Sequence, residues 1–163
     1  MSHDSFPDSG HDHRACVQGA LRDAETLCAR RGVRLTPARR RVLELIWQSH
    51  RPSGAYDLLE RLAADGHRPS PPTVYRALDF LLRQGLVHRV SSRNAFVGCN
   101  HPGDDHMAQL FICDRCDVAF EQADGSLNRR IRRNAMDLQF KIRTQTVEIA
   151  GLCPRCARRS DGA

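Results

Sequence analysis

The chain has 163 residues, room for one domain or two small ones, and its 40% hydrophobic and 27% charged content excludes wholesale disorder. No apolar run is long enough for a membrane helix, and the polar, acidic start (MSHDSFPDSGHDH) lacks the pattern of a secretory signal, so a cytoplasmic protein is expected. Lys and Arg exceed Asp and Glu by 25 to 19, which suits a nucleic-acid partner; 6% aromatic content argues against a base-stacking single-strand binder.

Residues 1–13 carry no apolar periodicity and read as a flexible tail, in which His3, His11 and His13 have nothing to fix them as ligands. A helix is predicted over 14–30, ending before Gly32. Its Cys16 and Cys28 fall about 120° apart around the axis, so they read as packing residues rather than as joint ligands. Three short helices follow. Thr36-Pro37 opens 38–48, with Val42, Leu45 and Ile46 inward; Ser53 caps 55–64, which Asp65-Gly66 stops. Ser70-Pro71-Pro72 opens 71–84, stopped by Gly85, with Val74, Ala77, Leu78, Leu81 and Leu82 as its apolar stripe. Thr73, Tyr75, Arg76, Asp79 and Arg83 are left for the outside.

The period then changes from 3.6 to 2. Residues 86–90 and 95–98 read as two strands around a turn over Ser91–Asn94. Three helices and a hairpin give a winged helix-turn-helix over 14–98, and the polar stretch 99–107 reads as a hinge. A small second domain is expected over 108–157, with strands at 109–112 and 140–149 flanking a helix near 125–136, then a tail over 158–163. The fold class is therefore mixed α/β (α+β). So small a second domain buries little core alone and needs a metal or a partner subunit.

Seven cysteines are an odd number for a disulfide framework, and eight histidines accompany them, so metal is the first expectation. Cys113-Asp114-Arg115-Cys116 and Cys153-Pro154-Arg155-Cys156 are two C-x-x-C pairs, each able to offer two thiolates to one tetrahedral ion. The 36 residues between them exceed an ordinary zinc-ribbon gap and must carry structure of their own. A redox dithiol and four inert thiols are the alternatives, but a redox pair belongs at a helix start after a strand, and here the two pairs match each other. A nucleobase-deaminase zinc site needs H-x-E with P-C-x-x-C; the chain has no H-x-E, and four thiolates close the coordination shell. No enzyme is expected.

A second cluster surrounds the hinge. With Ser92-Arg93 at the turn centre, His88 opposes Val97 and Cys99 opposes Leu86, which makes His88 and Cys99 diagonal neighbours about 7–8 Å apart at Cα. His106, with His101 as its substitute, and Glu121 complete a candidate metal set at a point where an ion couples two domains. Against this stands the plainer reading of His88 as a core histidine and Cys99 as a buried thiol. The third feature is the stretch 70–83, a recognition helix whose N-terminal residues read bases. Arg76 suits guanine, Thr73 and Tyr75 share its exposed face, and Tyr56 reaches a base or phosphate. Arg39, Arg40, Arg41, Arg89 and Arg93 are phosphate candidates.

These stretches resemble the ferric uptake regulator (Fur) superfamily. The resemblance rests on R-L-T-P-A-R at 34–39, A-Y-D-L-L at 55–59, P-P-T-V-Y-R-A-L-D-F-L at 71–81, G-L-V-H at 85–88, F-I-C-D-R-C at 111–116 and E-I-A-G-L-C-P-R-C at 148–156. R-A-L-D-F-L, F-V-G-C and E-I-x-G-L-C are most similar to the zinc uptake regulator (Zur) branch. That resemblance implies a homodimeric repressor on palindromic operator DNA, with two zinc ions per subunit and no small-molecule substrate. It implies a structural zinc on Cys113, Cys116, Cys153 and Cys156, a regulatory zinc on His88, Cys99, His106 and Glu121, and base contacts from Tyr56 and Arg76. Two departures distinguish the chain from iron and peroxide sensors of the family. It has H-P-G-D-D-H where they carry a histidine-richer run, and Gln145 where they place a histidine. The family's additional metal site is thus depleted, and the thiolate of Cys99 favours zinc over Fe(II) or Mn(II). Asp117 replaces a usual glycine, a change Asp tolerates because it adopts the left-handed conformation more readily than most residues. A sensor of iron, manganese or peroxide/thiol oxidation, and a constitutive zinc-ribbon protein, are the competing functions.

Overall fold

The computed structural model describes Phe6 and residues 12–66, 70–104 and 106–159, so His3 and His11 lie outside the described residues. The chain divides into two units, one of residues 7–103 and one of residues 104–163 that also takes in residues 1–6.

In the first unit, α1 (His13–Arg30) starts where the Asp12 carboxylate accepts the Arg14 N–H, which brings His13 into the helix and out of the expected tail. α2 (Pro37–Trp47) is opened by Thr36, whose hydroxyl faces the Arg39 N–H, and by Pro37 with its preset φ. α3 (Ala55–Ala64) differs from expectation at its start. Gly54 is the N-cap, its N–H held by the Asp57 carboxylate at 3.1 Å, whereas Ser53 is buried in a two-residue strand, β1 (Ser53–Gly54). That strand is too short to show alternation in sequence. α4 (Pro71–Arg83) buries Val74, Ala77, Leu78, Phe80 and Leu81, and Gly85 at φ +65° ends its run as expected.

The wing is β2 (Val87–Val90) and β3 (Ala95–Gly98), joined by one 3-10 turn over Ser91–Arg93 with Asn94 at φ +48°. Its register is the expected one: Val87 opposes Gly98, and His88 opposes Val97. β1 adds to the other side of β3, giving the order β1-β3-β2. One apolar core joins α1, α2, α3, α4 and the wing, with Val42, Leu43, Ile46, Leu58, Leu78 and Leu81 almost fully buried. Each such side chain contributes about 1.5–3 kcal/mol of transfer free energy.

The second unit is a three-stranded sheet of order β5-β4-β6 with two helices: β4 (Ala108–Cys113), β5 (Ala119–Gln122), α5 (Gly125–Asp137), β6 (Thr146–Gly151) and α6 (Pro154–Arg158). β4 and β5 are antiparallel, while β4 and β6 are parallel, the connection that needs a crossover helix between them. The strand expected over 140–149 is thereby corrected, since β6 begins only at Thr146. Phe140 and Ile142 alternate like strand residues, yet this segment closes α5: Gln139 takes φ +55°, and the Phe140 N–H bonds the Ala135 carbonyl at 2.7 Å. β5 and α6 were not expected, each being five residues or fewer. Phe6 packs tilted against Phe120 with ring centroids 5.2 Å apart. Among the described residues, no helix is long and apolar enough to cross a membrane.

Candidate metal centre and nucleic-acid interface

β4 delivers Cys113 into a tight knuckle. The Cys113 N–H bonds the Val118 carbonyl and the Asp117 N–H bonds the Cys113 carbonyl, both at 2.9 Å, and Asp117 sits at φ +57°. The left-handed position is the one expected of an Asp standing in for glycine. Cys153 opens α6 and Cys156 falls in its first turn. All four sulfurs lie within 4.8 Å of one another. Cys116 Sγ and Cys153 Sγ are 3.7 Å apart. A tetrahedron with bonds of about 2.3 Å has an edge of about 3.8 Å, whereas a disulfide needs about 2.05 Å. The donor set therefore fits a closed four-thiolate zinc centre.

The packed thiols also perturb one another. Burial pushes the Cys113 thiol up, but N–H groups of Cys153, Cys116 and Arg115 turned toward it bring it down to about 6. The Cys153 N–H reaches Cys113 Sγ at 3.3 Å. Burial, reinforced by the thiols of Cys153, Cys116 and Cys113, pushes Cys156 up to about 12, and burial also raises Cys116.

The second expected ligand set is divided between the units. In the first, His88 lies on β2, and Cys99 extends the ladder past β3 by donating its N–H to the Leu86 carbonyl at 3.1 Å. Cys99 is buried and His88 half-buried. In the second, His106 precedes β4 and Glu121 sits buried on β5, with His106 Nε2 2.6 Å from Glu121 Oε1. His106 Nδ1 is 3.1 Å from the Asp104 carbonyl oxygen, which orients the ring. His101 is exposed.

The first unit carries the charge excess, with fifteen Arg against nine Asp and Glu in residues 7–103. Thr73, Tyr75 and Arg76 all stand exposed on the first turns of α4, where the Ser70 and Thr73 hydroxyls meet at 3.0 Å. A groove of about 270 Å³ between the start of α3, α4 and the wing is lined by Tyr56, Tyr75, Arg89, Arg93 and Asn94 among others. Tyr56 is 69% exposed and Tyr75 50%. The fold thus gathers candidates from three separate stretches. Sequence reasoning missed Asn94, whose side chain accepts from Arg89 at 3.2 Å; its signal was an asparagine in a position that asks for positive φ.

The arginine run is employed differently. Arg39 lies over the Phe80 ring at 3.7 Å and donates to the Arg34 carbonyl. Arg40 pairs with Glu25, and Arg41 with both Glu44 and Asp65. Each of the three has a partner inside the unit.

Comparison with known proteins adds to this geometry. The zinc uptake regulation protein of Escherichia coli (strain K12) is 42% identical over 145 residues, covering 88% of this chain and 84% of that protein. A solved zinc uptake regulator complexed with zinc and DNA is 40% identical, with a TM-score of 0.84 over 89% of this chain and 97% of that one. The peroxide operon regulator of Bacillus subtilis (strain 168) is 26% identical over 141 residues, 86% of this chain and 96% of that protein. Residues 30–150 match the Ferric uptake regulator family. The chain belongs to that family.

Proposed function

We propose that this chain is a zinc-responsive transcriptional repressor that binds palindromic operator DNA as a zinc-loaded homodimer and represses zinc-uptake genes. It is a cytoplasmic regulator, not an enzyme, with no small-molecule substrate and no membrane partner. The carrying observation is the gap between 42% identity to a zinc uptake regulation protein and 26% to a peroxide operon regulator, at similar coverage of this chain. Gln145 and the thiol of Cys99 lean the same way, since iron and manganese prefer harder donor sets.

Two zinc ions per subunit are inferred. Cys113, Cys116, Cys153 and Cys156 hold the structural one; His88, Cys99, His106 and Glu121 hold the regulatory one, with His101 in reserve. Zinc supplies strong binding to soft and borderline donors that lie far apart in sequence. Residues 14–98 form the winged-helix domain, 99–107 the hinge and 108–157 the dimerisation domain. Met136, Leu138 and Phe140, exposed on the second unit, support a protein–protein contact there. The regulatory ligands come from both sides of the hinge, so holding them together restricts how the two domains are presented to DNA. On the operator, Arg76 reads guanine, Thr73, Tyr75 and Tyr56 contact bases or backbone, and Arg93 and Arg39 neutralise phosphates.

Operator binding by the purified protein, titrated with buffered Zn(II), Fe(II) and Mn(II) and then exposed to peroxide, tests the proposal. Zinc is expected to activate binding at the lowest free concentration, and peroxide is expected to leave the zinc form on DNA. Activation by iron or manganese at lower free metal, or prompt release by peroxide, selects the alternative sensors.

A further inference from the structure

The chain has one tryptophan, Trp47, and it occupies the last position of α2, half-buried against the apolar core. Its indole packs closely against Gly98. A Cβ placed on Gly98 would lie 2.6 Å from Trp47 Cζ2 and closer still to Cε2 and Nε1. No side-chain carbon fits there. Gly98 is not among the residues with positive φ, so the glycine is required by space and not by backbone conformation.

The neighbours of Gly98 give this contact its meaning. Gly98 precedes Cys99 and opposes Val87, the residue before His88. The ring therefore presses on the short piece of ladder that carries both first-unit ligands of the proposed regulatory zinc. The same helix α2 packs on α4 and extends Arg39 over Phe80 of that helix.

We propose that Trp47, seated on Gly98, is a positioning residue of the zinc switch: it fixes the end of the wing hairpin so that Cys99 and His88 are presented in a binding-ready arrangement. This inference rests on the regulatory-zinc reading and assigns that site a partner which does not touch the metal. Residues that orient ligands without binding metal typically change metal affinity by about 10- to 100-fold when altered. As the single indole of the chain, Trp47 also reports on the site directly.

The experiment uses the full-length protein with its first zinc in place. It is titrated with buffered Zn(II) while zinc content, indole emission and far-UV circular dichroism are followed. Wild-type emission is expected to change in step with the second equivalent, and Cys99→Ser to abolish that change. Gly98→Ala is expected to weaken the second equivalent by about 10- to 100-fold, leaving the first equivalent and the helical signal intact. Gly98→Ala/Trp47→Leu, which makes room for the new methyl group, is expected to recover part of the loss, as coupled neighbours do in a mutant cycle. If Gly98→Ala fails to fold, Trp47→Leu against Trp47→Phe makes the same test, with Phe retaining more of the second-zinc affinity than Leu.

Variants that lose thermal stability but bind the second zinc as the wild type does would reduce the contact to ordinary packing and overturn the inference. Emission indifferent to the second equivalent would do the same. A wild-type protein that takes up only one zinc overturns the regulatory-zinc reading and this inference with it. Two zinc ions in both wild type and Gly98→Ala, with equal affinity, overturn this inference alone.

Discussion

The two units are held together by different physics. Of the twelve largest fully buried side chains among the described residues, ten belong to the first unit, and only Leu110 and Cys113 to the second. The first unit wraps four helices and a wing around one aliphatic core. In the second, Cys113, Cys153 and Cys156 are themselves a buried cluster, with Phe6, Cys116 and Val118 packed against it. Beside the few apolar side chains that unit buries, such as Leu110, Ile112 and Phe120, four thiols add little by area alone and much once they share an ion. The first unit is therefore expected to outlast its metal, and the second is not.

Replacing one knuckle ligand is the most severe test of that contrast. Structural zinc contributes on the order of 10–16 kcal/mol in small domains that fold around it, far more than a unit of this size gains from burial. Cys113→Ser or Cys156→Ser is expected to lose one zinc per subunit and the dimer, while the helices of the first unit persist. Hydrogen exchange resolved by peptide, with zinc content and a sizing column, reads all three. A dimeric Cys113→Ser protein of wild-type stability would erase the contrast.

The next effect separates holding the fold from setting the switch. Moving a two-state equilibrium from about 1:99 to 99:1 takes about 5.5 kcal/mol of differential affinity, a demand suited to a centre with a thiolate ligand. Cys99→Ser and His88→Ala are expected to abolish zinc-dependent operator binding yet stay dimeric and keep one zinc per subunit. Wild-type zinc dependence in Cys99→Ser would remove the regulatory role from this ligand set.

In the first unit the corresponding weak point is apolar. Leu81 is fully buried, and Leu81→Ala is expected to cost about 2–5 kcal/mol, since it leaves a cavity among rigid neighbours. Urea denaturation of that variant should show the loss, with zinc stoichiometry unchanged.

The same contrast governs what is legible in the sequence. Long amphipathic helices announce themselves, and α4 buries the stripe its spacing demands, with Leu82 half-buried at the margin. The hairpin register followed from its turn, because a side-chain period of two leaves a single choice of face. Asp117 took the left-handed conformation its replacement of glycine required. The second unit was harder to read. Its four-residue β5 is too short to show a period, and the alternation of Phe140 and Ile142 imitated a strand where a helix terminus was closing. At the sites, residue types and spacing brought out the four cysteines that the second unit gathers, but contacts made across the fold leave no pattern in the chain. The indole on Gly98, the groove shared by Tyr56, Tyr75 and Arg93, and the guanidinium on Phe80 are of that kind.

DNA recognition offers the finer tests. Arg76→Ala is expected to cost about 1–3 kcal/mol and to relax discrimination at one base position per half-site, measured by competition among single-base operator variants. An equal loss on specific and non-specific DNA would make Arg76 a phosphate contact only.

The smallest expected effect separates two arginines that sequence alone treats as equals. Arg93 stands exposed at the wing turn, whereas Arg39 is half-buried, lying over Phe80 and bonded to the Arg34 carbonyl. Removing Arg93 deletes a charge, so Arg93→Ala should weaken all DNA sequences alike and flatten the salt dependence by roughly one counterion. Arg39→Ala should do this to a lesser degree and, in addition, lower stability by about 0.5–1 kcal/mol, because a cation resting on an aromatic face is lost. Arg39→Lys discriminates further. It keeps the charge but not the planar stacking or the fork that reaches the carbonyl, so it should restore the salt dependence without restoring stability. Stability and salt slope moving together in all three variants would mean that Arg39 acts through charge alone, and that its place over Phe80 carries no weight in the fold.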